Sequence, residues 1–407
     1  MNSKKITAAL LVAAMSLPVG ACSNNTEETF IAETTAATTT EAVETAAPEP
    51  VATEPVETEA PVPVLSEDSL YDPSNPLAVN PISGLQTMDP SNVGRRSVAV
   101  VVNNSHSAMP QRGISAADAI YEYQTEGGQT RLLCVFADVN TIPEIGSLRS
   151  ARILSTDLAA GNNSVFIHFG RNARVPEHIS SYGIDHIDGN SCSAGVYSSS
   201  NYADGYVDLP SGLFFWRDAV WKSQRAIEHT AVSDGRHILE AIEYNEINMT
   251  DNENNMLFNF VPGNSSDIAT GDPCEQINVY FSGTNDDALF VYDPISGLYS
   301  KSQYGNPQID ETTGTQIAFT NVFVLYANIQ PHGDTTIDAY LQDGGEGWYV
   351  SGGRIIPITW SKNSPVDPIV VFNEAGEELE VNRGRSYICI VDNDMQNLTT
   401  ITSITNS

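Results

Sequence analysis

The sequence predicts an α/β N-terminal domain followed by a mainly antiparallel β C-terminal domain, carried behind a disordered acidic stalk. Three observations predict it. Apolar strand-like runs alternate with helical spacing between Ser97 and Phe169; from about Ile277 onward, β-branched and aromatic runs are broken by Gly, Asn and Asp turns; and after Cys22 the chain holds almost no large apolar side chain until about Leu65. The remaining ~340 residues exceed what one hydrophobic core usually serves, so two domains are expected, over residues 66–245 and 246–407.

The N-terminus runs from Lys4 and Lys5 into an apolar stretch from Ile6 to Leu17, then into Val19-Gly20-Ala21-Cys22. That order reads as a secretory signal peptide over residues 1–21. The apolar run is too short to cross a bilayer, which takes roughly 20 residues. Small residues directly before a cysteine fit lipoprotein processing, in which Cys22 Sγ takes a diacylglycerol and becomes the new N-terminus. Two acyl chains on one group give a stable anchor, so the expected location is the extracytoplasmic face of a membrane. Residues 22–65 are Thr, Glu, Ala and Pro, and no Lys or Arg occurs between Lys5 and Arg95. Such a segment buries too little apolar surface to offset its ordering entropy and reads as a disordered tether.

In the first folded half, Val98-Ala99-Val100-Val101-Val102 is a continuous apolar run, read as a strand buried on both faces. Ser115 to Tyr121 reads as a short helix leading into Glu122. A second strand follows the Gly127-Gly128 break, from Arg131 to Phe136. Ser150 to Ala160 reads as a helix, with Ile153, Leu154 and Leu158 at helical spacing, and Ser164 to Phe169 as a third strand. In the second half, strands are read at Ile277 to Phe281, Leu289 to Tyr292, Ile317 to Ala327, Trp348 to Val350 and Ile369 to Phe372. Asn373-Glu374-Ala375-Gly376 reads as a hairpin turn. No helical period longer than one turn is visible there.

The formal net charge of -32 argues against nucleic acid as a partner, because a phosphate backbone calls for a basic face. It argues equally against lying flat on an anionic membrane surface. Four cysteines follow Cys22: Cys134, Cys192, Cys274 and Cys389. None forms C-x-x-C, so a thiolate metal site or redox pair is not expected, and three disulfide connectivities stay open. Cys134 and Cys389 lie inside apolar runs, where a buried free thiol is the simplest reading.

One constellation could carry chemistry. Glu122, Glu126-Gly127-Gly128 and Arg131 precede Gly146-Ser147-Leu148-Arg149-Ser150-Ala151-Arg152, placing two carboxylates and three guanidinium groups in an otherwise arginine-poor chain. The planar five-donor fork of arginine suits capture of a carboxylate or phosphate. Arg131, Arg149, Ser150 and Arg152 are therefore candidate anion-binding residues. The competing reading is that Arg149 and Arg152 pair internally with Glu122 and Glu126 and hold no ligand. Further candidates for proton transfer are His168 at a strand end, Asp218 and His229. No metal-ligand spacing, phosphate-binding glycine loop with lysine, G-x-S-x-G or Cys–His signature occurs, so no metal or cofactor is implied.

These residues carry a resemblance. Ser97 to Asn104, Tyr121-Glu122 with Glu126 to Arg131, and Gly146 to Arg152 resemble the YerB-like lipoproteins, whose two halves are known as paired N- and C-terminal domains of unknown function. The similarity continues through Phe215-Trp216-Arg217-Asp218, Asn321 to Val324 and Ile355 to Lys362. Where relatives tend to have proline after the glycine this chain has Ser147-Leu148, and where they tend to have Pro-His-Asn it has Glu228-His229-Thr230. The resemblance implies an envelope lipoprotein and brings no reaction with it. Three functional readings follow: a factor binding an anionic wall polymer or envelope protein through its arginines; an enzyme on envelope glycan or phosphodiester using Glu122 or His168 with Arg149 and Arg152; and a module in which the cluster is purely structural. A strand followed by an arginine-bearing loop bears a loose analogy to wall-polymer phosphotransferases.

Overall fold

The computed structural model describes residues 70–190, 214–251, 256–283 and 287–403. The expected signal peptide, lipidated Cys22, stalk and Cys192 lie outside the described residues.

The apolar run read first from the sequence is β1 (Val98–Asn103), buried along its whole length. Next come β2 (Ala119–Gln124), β3 (Thr130–Phe136), α1 (Ile153–Gly161), β4 (Val165–His168), α2 (Val175–Tyr182), β5 (His186–Asp188), α3 (Ala219–Gln224) and α4 (Gly235–Tyr244). The second half supplies β6 (Gln276–Val279), β7 (Ala288–Asp293), β8 (Leu298–Gln303), β9 (Asn321–Pro331), β10 (Gly345–Ser351), β11 (Arg354–Ser361), β12 (Ser386–Asp392) and β13 (Thr400–Thr402). The class is as expected: mixed α/β first, then mainly antiparallel β.

Two elements depart from the sequence reading. The run read as one strand from Ile317 to Ala327 is divided, Ala318–Phe319 pairing with β8 of the small sheet and β9 beginning at Asn321 in the large one. Ser115 to Tyr121 is not a helix. A single 3-10 turn, Ile114–Ala116, leads into β2, which carries Tyr121 and Glu122 on a strand. The alanines favour a helix locally, but β2 pairs antiparallel with β3 on one side and parallel with β12 on the other. Tertiary pairing on both edges outweighs propensities worth tenths of a kcal/mol per residue. Asp118 fixes the turn before β2, accepting hydrogen bonds from Ala137 N and Asn80 Nδ2, each at 2.8 Å.

The central sheet runs β11-β10-β9-β12-β2-β3-β1-β4-β5, so strands of both halves lie in one ladder. β12 sits in its middle, parallel to β9 as well as to β2, which departs from the antiparallel pattern of its half. A smaller sheet, β8-β7-β6-β13, is antiparallel. Alternation explains the unbroken apolar run of β1. Val98, Val100 and Val102 face a core shared with Ile277, Val279 and Phe290 of the small sheet and Ile238, Ala241 and Ile242 of α4. Ala99 and Val101 face the opposite core, with Leu154, Leu158 and Ala159 of α1 and Val175 and Ile179 of α2. Covered on both faces, the strand needs no polar alternation. Cys134, Cys274 and Cys389 are buried free thiols.

The apolar stripe of α4 is set by its N-cap, since the Asp234 side chain accepts from His237 N at 2.9 Å. Replacing Asp234 with Ala is expected to lower stability by about 1 kcal/mol. Urea unfolding midpoints check this, and an unchanged midpoint would mean the cap is redundant.

Candidate functional site

The arginine-bearing loop is held by backbone hydrogen bonds to three neighbours. Asn103 N donates to Ser147 O (2.8 Å) and Arg149 N to Val101 O (3.0 Å), tying the loop to β1; Leu148 N donates to Ala231 O (2.7 Å); and Phe169 N and Ala151 N bond Arg149 O and Gly170 O, each at 2.9 Å. The backbone from Ser147 to Ala151 is thus fixed before any ligand arrives. Arg131 enters from the start of β3, opposite Asn103, and donates to the Ser150 carbonyl.

Four guanidinium groups interact here: Arg131, Arg149, Arg152 and Arg217. Burial, reinforced by Arg152 and Arg149, pulls Arg131 down to about 9. Burial and Arg149 likewise pull Arg217 to about 9, and burial lowers Arg149 despite the opposing effect of Glu228. The cationic forms of Arg131, Arg149 and Arg217 are therefore disfavoured relative to an exposed guanidinium, a condition that an incoming anion relieves. Among the described residues, two carboxylates oppose the four. Glu126 accepts from Arg152 Nε at 2.5 Å; burial raises its pKa, but the hydrogen bond and charge of Arg152 outweigh burial and hold the pKa below its ordinary value. Glu228 is exposed and offers Arg149 only its backbone carbonyl, at 3.5 Å. Among the described residues, Arg149 Nε is buried without a hydrogen-bond partner. Arg217 donates to the Ile227 carbonyl and stacks over the Phe169 ring at 4.9 Å. His229 lies at the same cluster, its Nδ1 2.8 Å from Asn103 Nδ2, and burial, followed by Arg149, lowers its pKa.

The sequence candidates thus fall into two sets. Arg131, Arg149, Ser150, Arg152, Glu126 and His229 converge. Glu122, His168 and Asp218 do not. Glu122 is 0 % exposed and accepts from Asn104 Nδ2 (2.8 Å), Thr130 Oγ1 (2.7 Å) and Tyr387 Oη (2.6 Å), with Lys301 Nζ at 3.4 Å. The pairing of arginines with both glutamates considered above therefore forms at Arg152–Glu126 and not at Glu122. His168 is also 0 % exposed, with Nδ1 2.8 Å from Gly170 O and Nε2 3.0 Å from His186 Nδ1. Asp218 caps α3 through Trp221 N at 2.7 Å and pairs with Arg112 at 3.0 Å. Sequence reasoning left Arg217, Glu228 and Asn103 out of the site, although an arginine beside Trp216 in an arginine-poor chain was a usable signal.

A two-half chain with an internally held arginine loop defines a class, and comparison with known proteins places it. Residues 82–248 match the family described as "Protein of unknown function (DUF3048) N-terminal domain", and residues 277–388 match its C-terminal domain. The chain belongs to this YerB-like family. It is 29 % identical over 333 residues to the Bacillus subtilis (strain 168) protein named "Putative lipoprotein YerB", covering 80 % of this chain and 89 % of that one. The crystal structure of YerB protein from Bacillus subtilis superposes with a TM-score of 0.64 at 26 % identity, over 79 % of this chain and 99 % of that one. Among the described residues, no helix is long and apolar enough to cross a membrane.

Proposed function

We propose that this chain is an envelope lipoprotein, anchored by lipid on Cys22 at the extracytoplasmic face, whose cluster of Arg131, Arg149, Arg152 and Arg217 captures an anionic group of a wall polymer or envelope partner. The observation that carries the reading is charge held against its own cost. Among the described residues, the partly desolvated guanidinium groups of Arg131, Arg149 and Arg217, with Arg152 beside them, face two carboxylates in a chain of net charge -32, and the buried Arg149 Nε has no hydrogen-bond partner. Guanidinium forks bind carboxylate and phosphate bidentately, and a fixed loop gives up little entropy on binding. The lipoprotein name of the Bacillus subtilis relative supports the anchor. The catalytic alternative draws no support from Glu122 or His168, both enclosed.

The test is co-sedimentation of residues 66–407 with purified cell-wall sacculi. A lost charge-assisted hydrogen bond is worth about 1.5–3 kcal/mol, so Arg149→Ala should weaken retention by about tenfold or more. Retention should also fall with salt. Thermal stability of the variant should be unchanged or higher, since a strained cation is removed. Equal retention by Arg149→Ala and Arg152→Ala would sink the proposal.

A further inference from the structure

A second concentration of chemistry lies away from the arginines, in the core between the two sheets. Lys301 on β8 is 0 % exposed, and the residues around it, Glu122, Gln303, Gln308 and Tyr387, are at most 1 % exposed. Lys301 Nζ donates to Gln303 and, at 2.8 Å, to Gln308 Oε1; Glu122 Oε2 is 3.4 Å away. The rings of Tyr387 and Phe290 lie 5.2 and 5.9 Å from the same nitrogen. Gln308 is held from its other end, its Nε2 donating to Asn104 Oδ1 (3.1 Å) and Gln111 Oε1 (3.2 Å). Backbone bonding keeps the two residues face to face, with Gln308 N donating to Lys301 O at 3.1 Å.

An isolated lysine–carboxylate pair in an apolar core is seldom the most stable solution, since removing two charges from water offsets their attraction. Here the pair has a chemical outlet. We propose that Lys301 and Gln308 join in an intramolecular isopeptide bond, formed by the folded chain itself with Glu122 as the proton carrier.

Burial disfavours the Lys301 cation and lowers its pKa against the opposing attraction of Glu122. The first step passes a proton from Nζ to Glu122 Oε2, 3.4 Å away, and leaves a neutral amine. The nitrogen lone pair attacks Gln308 Cδ. A proton moves from Nζ through Glu122 to the Gln308 amide nitrogen, the C–N bond to that nitrogen breaks, and ammonia leaves. The products are one new secondary amide, one ammonia and Glu122 in its neutral form, with no oxidant or co-reactant needed. Alignment of amine, carboxamide and carboxylate in a site closed to bulk solvent is what makes such a step feasible, because proximity replaces an encounter and hydrolysis is disfavoured. The two-sided grip on Glu122 by Asn104, Thr130 and Tyr387 makes Glu122 the positioned acid–base group of the step.

The experiment is intact mass spectrometry of the purified chain under denaturing conditions, followed by tryptic digestion. The expected result is a mass one ammonia below that calculated for the chain as processed and lipidated at Cys22, with trypsin failing to cut after Lys301 and no fragment ions separating residue 301 from residue 308. Glu122→Gln should restore both the full mass and the cleavage, and Lys301→Arg should restore the full mass whatever Glu122 does. A wild-type chain of full mass that trypsin cuts after Lys301 would overturn the proposal. A missing ammonia that maps to any other pair would do the same. Because the wild-type measurement decides the matter alone, a variant that fails to fold leaves the test intact.

Discussion

Asp310→Ala is expected to lower the stability of the folded chain by at least about 3 kcal/mol. The carboxylate is 0 % exposed and accepts three backbone N–H groups: Gly113 (3.0 Å), Ser115 (2.7 Å) and Thr312 (2.8 Å). Two of the three belong to the turn that leads into β2, so a residue of the second half organises the entry to a central strand of the first. An unmade buried hydrogen bond leaves a desolvation penalty of roughly 1–3 kcal/mol, and alanine leaves several at once. Gly113 itself is committed to the arrangement. Its φ of +76° lies in the left-handed region, and a Cβ there would stand 2.7 Å from Glu144 O. Denaturant unfolding of the two variants gives the check. Asp310→Asn keeps one acceptor oxygen and should fall between wild type and Asp310→Ala. A loss under about 1 kcal/mol for Asp310→Ala would show that water takes over the exposed donors.

The second large effect is on pH. Burial is the main cause that pushes His168 from its ordinary 6.5 to about 4, opposed by Asp188 and reinforced by His186. A histidine with a depressed folded pKa is neutral in both states above pH 6.5. As pH falls below that, the unfolded chain takes up a proton that the folded chain refuses until about pH 4. Stability therefore drops across this window, by about 3 kcal/mol in full, and the neighbouring His186 is shifted in the same sense. Asp118, raised by burial to about 6, acts in the opposite direction as pH falls from 6 to 4, because its folded form binds the proton more tightly. The quantity to read is the difference in slope between wild type and His168→Gln. Stability of the variant should depend less steeply on pH between 6.5 and 4. Parallel curves would mean that His168 is protonated in the folded state at those pH values.

How much of this was legible in the sequence follows from where each element finds its partners. β1, β3 and β4 carry continuous apolar runs because both faces of the sheet are covered, and such runs declare themselves. β2 does not, since Ser-Ala-Ala-Asp-Ala is locally helix-like and its strand partner β12 lies at the far end of the chain; Tyr387 is 265 positions from the Glu122 it bonds. The same distance hid the fate of Glu122. It stands between Tyr121 and Tyr123, a few residues before Glu126 and Arg131, yet its partners are Asn104, Thr130, Tyr387 and Lys301, the last two from the second half. Arg131, Arg149 and Arg152 were legible as one cluster because they stand within a short stretch. Arg217 and Glu228 join them from a segment whose approach is fixed by Ala231 pairing with Arg217 and by Leu148 N bonding Ala231 O, contacts with no local sequence signature.

The position of β12 also sets an order of events. The strand that fills the middle of the main sheet, between β9 and β2, leaves a ribosome or a translocation channel after every other strand of that sheet. Until residues 386–392 arrive, the first half has every other strand it needs and still presents the bare edge of β2, with its backbone donors and acceptors unpaired. Such an edge invites pairing with the wrong chain. A polypeptide ending anywhere before β12 therefore cannot yield a finished first half with a shorter tail. It yields a sheet split down its centre, which makes β12 a condition for an arginine site that lies far upstream of it in the chain.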